Sequence, residues 1–483
     1  YNGKVFSWGE INGGNVYGKS GFNITTATNI YSLKEYNTFG VLDASNNFYI
    51  FGVDISSYQV HDEDPIANVQ QVFSNNQAFA LLDSSNSIET FGNSSYGGEI
   101  PSGISNITNI FPFKTGFIAE SATNIYIWGG NISSGNKNIT KAINVGSFSG
   151  SYPIHSVAST GYNYFSSGGS SDNCIIIVRQ VSDSNNVIFF EDVTEAGTSD
   201  NHHSGLESIT PLENVSKIVG NVEAFAILLT DGSVVTVGSN TYGGNSGQYF
   251  ESYSSSGSQT VNVSGLLESG VTDIIATNQG FIAIKESGLV VWGSSPTGAP
   301  QYQNQSSSQY VNLYTSNSNP IIPGSFSASD ISISDQNVIV KKSDGSCVAW
   351  GSDSTINLTT LNSTTDIYKF YLNYNAYGLD TSGDINIIGS DTSSISYFRD
   401  VSDSSYDTSG KLSYTGKNIP KLSFIDSYTN RFQFATETVN GYNYFLTSEV
   451  AMIDGEEQNN YYIYSDELSQ GLEKINNSDL PVN

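Results

Sequence analysis

Between Ala224 and Gly238, Phe225 stands seven residues before Gly232 and Gly238 follows six later, and this frame returns along the chain. It groups Phe39, Asn46 and Gly52, then Phe79, Asn86 and Gly92, then Phe117, Asn124 and Gly129, with five residues in the last gap. Phe281, Gly288 and Gly293 continue it, as do Val338, Gly345 and Gly351 and, more weakly, Ala376, Gly383 and Gly389. A degraded copy falls at Tyr164 to Val178 and another at Phe434, Gly441 and Leu446, while Asn2 to Gly9 matches only the second half. A fixed internal period constrains architecture more than local propensity does, because each copy is a small unit that cannot bury its apolar surface alone.

Each copy reads as an apolar strand, a tight turn and a second strand ending in Trp-Gly, Phe-Gly or a substitute. Asn and Gly at a fixed offset supply the positive φ that two-residue hairpin turns require. About ten residues upstream lies another short apolar segment, for example Val69 to Phe73, Asn109 to Phe111 and Thr365 to Tyr368. Three to four strands per unit follow. The terminal glycines of consecutive intact copies are 37 to 58 residues apart, and a four-stranded propeller blade needs ~40–50. Radial stacking of such sheets buries their faces between neighbours.

A Gly-rich loop follows the second strand, at Gly9 to Gly14, Gly92 to Gly98 and Gly238 to Gly244. Together the apolar strand, Asp-Gly turn, Trp-Gly and Gly-rich loop resemble the regulator-of-chromosome-condensation repeat family, over roughly residues 1–447. The resemblance implies an all-β fold, a β-propeller used as an interaction platform and commonly seven-bladed. About nine hairpins and only four Trp, at 8, 128, 292 and 350, depart from the family pattern, so roughly seven to nine antiparallel units are expected. Residues 179–215 read as an insertion on one face, and residues 448–483 as a C-terminal tail with a short docking helix over Ser465 to Ile475.

Charge narrows the partners. Eighteen basic against 46 acidic residues give a net charge of −28, with arginine only at 179, 399 and 431. Nucleic acid and anionic lipid are repelled by such a chain. No apolar run approaches the ~20 residues that span a bilayer. The chain opens at Tyr1 without a basic and apolar leader, which suggests a processed or excised chain. Eleven Asn-x-Ser/Thr sequons are about what this Asn, Ser and Thr content yields by chance, so they say nothing of compartment. Cys174 and Cys347 make neither a disulfide framework nor a zinc spacing.

A search for chemistry finds no nucleophile elbow, phosphate-binding loop or Cys/His arrangement. His202 and His203 with Asp200 and Glu207, and His61 beside Asp62 to Asp64, read as polar loops rather than metal sites. The turns Asp43 to Asn47 and Asp83 to Ser87 lack the spacing of a calcium loop. No catalytic centre, cofactor or metal is expected. The loops after the second hairpin strands, with Asn93, Tyr96, Asn240 and Tyr242, are the expected contact surface, because exposed Tyr in Gly-rich loops gives contact area at low entropic cost. The expected function is a non-catalytic extracellular or particle-surface module that binds a protein or glycan. The alternatives are a self-associating subunit of a filament, layer or virion appendage, and a carbohydrate-active enzyme with an undetected carboxylate site.

Overall fold

The computed structural model describes residues 24, 26–33, 38–52, 65–129, 137–161, 174–189, 205–246, 251–254, 257–294, 296–303, 310–314, 320–334, 336–352, 358–362, 365, 367–372, 376–380, 385–388, 436–439, 442–453, 456–465 and 473–475. The chain divides into two units, Tyr1–Gly247 with Ser264–Ala276, and Gln248–Val263 with Thr277–Asn483. Among the described residues both are nearly all small antiparallel sheets, with helix confined to single turns.

In unit 1 the first sheet is β1 (Ala27–Ser32), β2 (Thr38–Asp43) and β3 (Phe48–Gly52), and the second is β4 (Val69–Ser74), β5 (Ala78–Asp83) and β6 (Ile88–Gly92). The third is β7 (Asn109–Phe113), β8 (Gly116–Glu120) and β9 (Asn124–Gly129), with β10 (Lys137–Thr140) on its outer edge. A separate hairpin, β11 (Ala142–Val145) and β12 (Phe148–Ser151), precedes the fourth sheet of β13 (Ile154–Ser159), β14 (Ile175–Ser182) and β15 (Asn185–Ile188). The fifth is β16 (Val215–Gly220), β17 (Ala224–Leu229) and β18 (Val234–Gly238).

The repeat's spacing is the hairpin register. Phe79 lies opposite Phe91, Phe117 opposite Trp128 and Phe225 opposite Val237, so each frame phenylalanine faces the residue before the terminal glycine. Middle strands are apolar on both sides of the pleat, as in Ala78 to Leu82, because each sheet is covered on both faces. Leu42, Phe48 and Ile50 of the first sheet pack on Val69, Phe79 and Leu81 of the second. Ala78, Ala80 and Leu82 meet Phe117, Ala119 and Trp128. Ile118, Ile125 and Ile127 then meet Ile154, Ile175 and Ile177, and Ile176 and Val178 meet Phe225 and Ile227. The sheets are thus stacked in sequence order. Their first strands are neighbours, β4 beside β7, β7 beside β13 and β13 beside β16.

Hydrogen bonds tie the stack at both ends. At one end the loops joining first and second strands are linked: Asn76 N donates to Lys114 O, Lys114 Nζ to Gly161 O at 2.8 Å and Gly161 N to Val222 O at 2.9 Å. At the other, left-handed turn residues accept from the start of the next sheet: Val69 N to Asn46 O, Ile107 N to Asn86 O and Val271 N to Gly232 O. The residue before that start is itself left-handed, at Asn68, Asn106, Asn214 and Gly270.

Unit 2 keeps the same hairpin. Phe281 in Gly280–Lys285 lies opposite Trp292 in Gly288–Gly293, and Val338 in Asn337–Lys341 opposite Trp350 in Cys347–Gly351. Tyr302, Ile339, Cys347, Ala349, Leu358 and Leu361 form one core of this unit. Ile367–Leu372, Ala376–Asp380 and Ile385–Ile388 make a further sheet, and Thr436–Val439, Tyr442–Ile453, Glu456–Ser465 and Glu473–Ile475 another.

Three expectations change. Residues 179–188, expected to open the insertion, lie in β14 and β15, with the turn at Asp183 and Ser184. Arg179 misled the sequence reading: it is fully buried, and its Nη1 donates to Tyr152 O at 3.3 Å. The boundary at 447/448 falls inside the strand Tyr442–Ile453. Of the helix expected over Ser465 to Ile475, Ser465 ends one strand and Glu473–Ile475 forms another. Asn2 to Gly9, Tyr164, Gly383, Gly389, Phe434 and Gly441 lie outside the described residues.

Candidate binding surface

The Gly-rich loops turn inward. Ser94–Tyr96 is a single 3-10 turn capped by Asn93, whose Oδ1 accepts from Ser95 N at 2.9 Å. Tyr96 is buried, packed with Ile107, Phe117 and Trp128. Its carbonyl accepts from Asn75 Nδ2 at 2.8 Å, and Asn75 also donates to Gly116 O at 3.2 Å on the next sheet. Asn93 Nδ2 donates to Gln77 Oε1 at 2.7 Å. The same clamp recurs at Asn240–Tyr242, where Asn221 Nδ2 donates to Tyr242 O at 2.7 Å. Tyr242 is half-buried, and Asn240 alone of the four expected contact residues is exposed.

These bonds make Tyr96 and Asn93 part of the seam between sheets, while Ser94, Ser95, Asn240 and Thr241 of the same loops stand exposed. Gly97 (φ +86°) shows why: a Cβ there would come within 2.9 Å of the Phe117 ring and 3.2 Å of Trp128 Nε1.

The acidic turns are likewise local structure. Asp43 Oδ1 accepts from Ser45 N and Asn47 N at 2.9 and 2.8 Å, and Oδ2 from Asn47 Nδ2 and Tyr49 Oη at 3.0 and 3.2 Å. Burial opposes ionisation of Asp43, but these donors outweigh it and hold the carboxyl below its ordinary value. Backbone donation from Ser87 does the same for Asp83, and the hydroxyls of Ser233 and Ser346 for Asp231 and Asp344. Among the described residues no three His, Cys, Asp or Glu side chains are grouped to hold a metal. His61, Asp200, His202 and His203 lie outside them, and Glu207 is exposed on the single helical turn Leu206–Ile209.

A different surface emerges from the first strands, which sequence reasoning missed. Pairing with the second strand skips one residue between Ala27 and Asn29, Val69 and Gln71, Ile154 and Ser156, and Val215 and Lys217. Such β-bulges put two side chains opposite one and re-aim them. Thr28 and Asn29, Gln70 and Gln71, His155, and Ser216 are exposed there, with Ser156 and Lys217 half-exposed. Thr108 and Asn109, and Thr272 and Asp273, take the same places after the left-handed residues at 106 and 270. Local bonds fix the backbone: Thr28 and Thr108 hydroxyls donate to Leu42 O and Glu120 O, both at 3.0 Å. The Asn109 amide oxygen and an Asp273 carboxylate oxygen accept from the following backbone N at 2.9 and 2.8 Å. Lys217 Nζ meets Asp273 Oδ1 at 2.6 Å, joining one first strand to the next. The signal in the sequence is the set of four residues that follows Asn68, Asn106, Asn214 and Gly270: an apolar residue, two polar residues of varying type, then an apolar one.

Neither a protein-family model nor a curated protein matches the chain. Among solved structures it is similar to the entire ectodomain of the Physcomitrella patens receptor kinase CR4, at 14% identity over 67% of this chain and 72% of that one, TM-score 0.27. It is also similar to the C-terminal domain of gp131 from bacteriophage phiKZ, at 10% identity over 76% and 93%, TM-score 0.32. A third is Prp20p, the RCC1 of Saccharomyces cerevisiae, described with its binding to Gsp1p and histones, at 12% identity over 65% and 69%, TM-score 0.27. Prp20p belongs to the family that the repeat resembles. At scores this low the likeness adds nothing to the stacking of sheets visible in the chain itself. Among the described residues no helix is long and apolar enough to cross a membrane.

Proposed function

We propose that the chain is a non-catalytic binding module, working outside the cell or on a particle surface, whose contact surface is the line of first-strand bulges in unit 1. One observation carries this reading. The residues that recur from copy to copy sit in the seams between sheets, whereas the bulge positions vary in type and stand exposed on a backbone fixed by local bonds. A stacked array that holds its framework constant and varies its exposed side chains is built like other repeat proteins that bind partners along an extended surface. The net charge of −28 favours solubility and disfavours polyanionic partners.

Arrays of glycans and of extracellular protein fragments, probed with the full chain and with Gln71→Ala combined with Lys217→Ala, test the reading. Saturable binding that the double variant loses supports it. Binding that the variant keeps, or chemical turnover of the bound ligand, contradicts it.

Ile30 favours a second reading, a self-associating structural subunit. It is 62% exposed, yet its counterparts Ile110 and Ile218 are buried in clusters shared with a neighbouring sheet. A second copy of this chain would cover it. Sedimentation showing only monomer, unchanged by Ile30→Ser, would remove this reading.

A further inference from the structure

Resting on that reading, we propose that the bulge line of unit 1 takes a neutral oligosaccharide. The line is dense in groups that both donate and accept hydrogen bonds: the amides of Asn29, Gln70 and Gln71, the hydroxyls of Ser156 and Ser216, and the imidazole of His155. Sugar hydroxyls demand that pairing, since each also donates and accepts.

Charge separates this ligand from others. The chain carries −28, but along this line the formal charges are Lys217 and Asp273, and they neutralise each other at 2.6 Å. A surface evolved to hold a cationic peptide would place the chain's abundant carboxylates there; one for an anionic ligand would place unpaired Lys or Arg. Bulges lie on β4, β13 and β16, and β7, between β4 and β13, has Thr108 and Asn109 at the corresponding places, so the donors and acceptors form an extended track rather than one pocket. That suits a chain of several sugar units.

The test is titration calorimetry of the full chain with neutral oligosaccharides of the cello-, malto-, manno- and galacto- series, alongside an oligogalacturonate and a Lys-rich peptide. A neutral oligosaccharide is expected to bind saturably, with affinity unchanged by added salt because no charges meet. Gln70→Ala with Gln71→Ala, or His155→Ala, is expected to weaken it about tenfold, the loss of one or two good hydrogen bonds. These side chains are exposed, so the variants should melt with wild type, and Asn240→Ala should bind as wild type.

No binding by any neutral series overturns the proposal, as does binding that survives the glutamine and histidine variants. Salt-sensitive binding of the peptide or the oligogalacturonate alone would overturn the sugar assignment while leaving a binding module. Silence on the protein and glycan arrays as well would overturn both.

Discussion

The indole N–H of Trp128 donates to the carbonyl of Gly97 at 3.1 Å, reaching from the third sheet to the loop that follows the second. Unit 2 repeats the relationship with Trp350 and Thr297 O at 2.9 Å. The Trp-Gly signature is thus a staple between successive copies: the ring fills the space between sheets, and its one polar atom satisfies a carbonyl that burial would otherwise orphan.

Trp128→Phe is expected to keep most of the packing but leave Gly97 O unpaired, at about 1–2 kcal/mol. Trp128→Ala removes the ring as well and should cost about 3–5 kcal/mol. Urea denaturation of both variants separates the two contributions: a Trp128→Phe variant as stable as wild type would show that the hydrogen bond contributes nothing, and equal losses in the two variants that the ring does not.

Asn75 makes four bonds from one buried amide. It donates to Tyr96 O and Gly116 O and accepts from Gln77 N and Ala78 N at 3.0 and 2.8 Å. Asn75→Ala orphans several of those groups, so a loss of about 3 kcal/mol is expected. Asn240→Ala, on the exposed face of the equivalent loop, should change stability by less than about 0.5 kcal/mol. Thermal melts of the pair decide whether the Gly-rich loops are seams or free surface.

What the sequence made legible follows from this division of labour. The frame of Phe39, Phe79, Phe117 and Phe225 was readable because the hairpin register demands it, and residue type at those positions is set by packing between sheets. Tyr96 is buried for the same reason, since the Tyr shared by the loops at 96 and 242 offers its carbonyl to a clamping Asn of the scaffold. The fourth sheet was obscured because Thr160 stands where Asn75 and Asn221 clamp their neighbours, and because Arg179 is polar yet wholly buried. The bulge line carries no fixed residue type at all, so a search for recurring residues passes over it.

The acidic turns set an acid limit. Asp43, Asp83, Asp231 and Asp344 are held below their ordinary carboxyl values by local donors. A carboxyl with a lowered folded pKa stabilises above its unfolded value of about 3.9 and loses that contribution as pH falls through the folded value. The melting temperature is therefore expected to be flat near neutrality and to drop below about pH 4. Asp43→Asn should lower it at pH 7 and flatten the acid drop; an unchanged profile in that variant would assign the drop elsewhere.

Both cysteines are buried and neither is in a disulfide. Burial raises the Cys347 thiol to about 12, with smaller and opposing influences from Lys341, Asp344 and Lys342. At pH 8 that thiol stays protonated and is a poor nucleophile. Neither cysteine should react with a thiol reagent in the folded chain, and both should react in denaturant. Rapid labelling of the native protein would contradict the burial of Cys174 and Cys347.

The left-handed residue at 68, 106, 214 and 270, ahead of four of the first strands, offers a sharper test of the repeat than any side-chain contact. Asn106 and Asn214 hold φ of 55° and 61°, and Gly270 takes the same place with 72°. A side chain branched at Cβ cannot enter that region without strain of about 1–2 kcal/mol, whereas Gly enters it freely. Asn106→Gly should leave stability within about 1 kcal/mol of wild type, its looser unfolded chain being the main loss. Asn106→Val should lose about 2 kcal/mol, and Gly270→Ala about 1. If Asn106→Val melts with wild type, Asn106 is not left-handed, and the seam in which Ile107 N donates to Asn86 O at 3.1 Å is wrong with it.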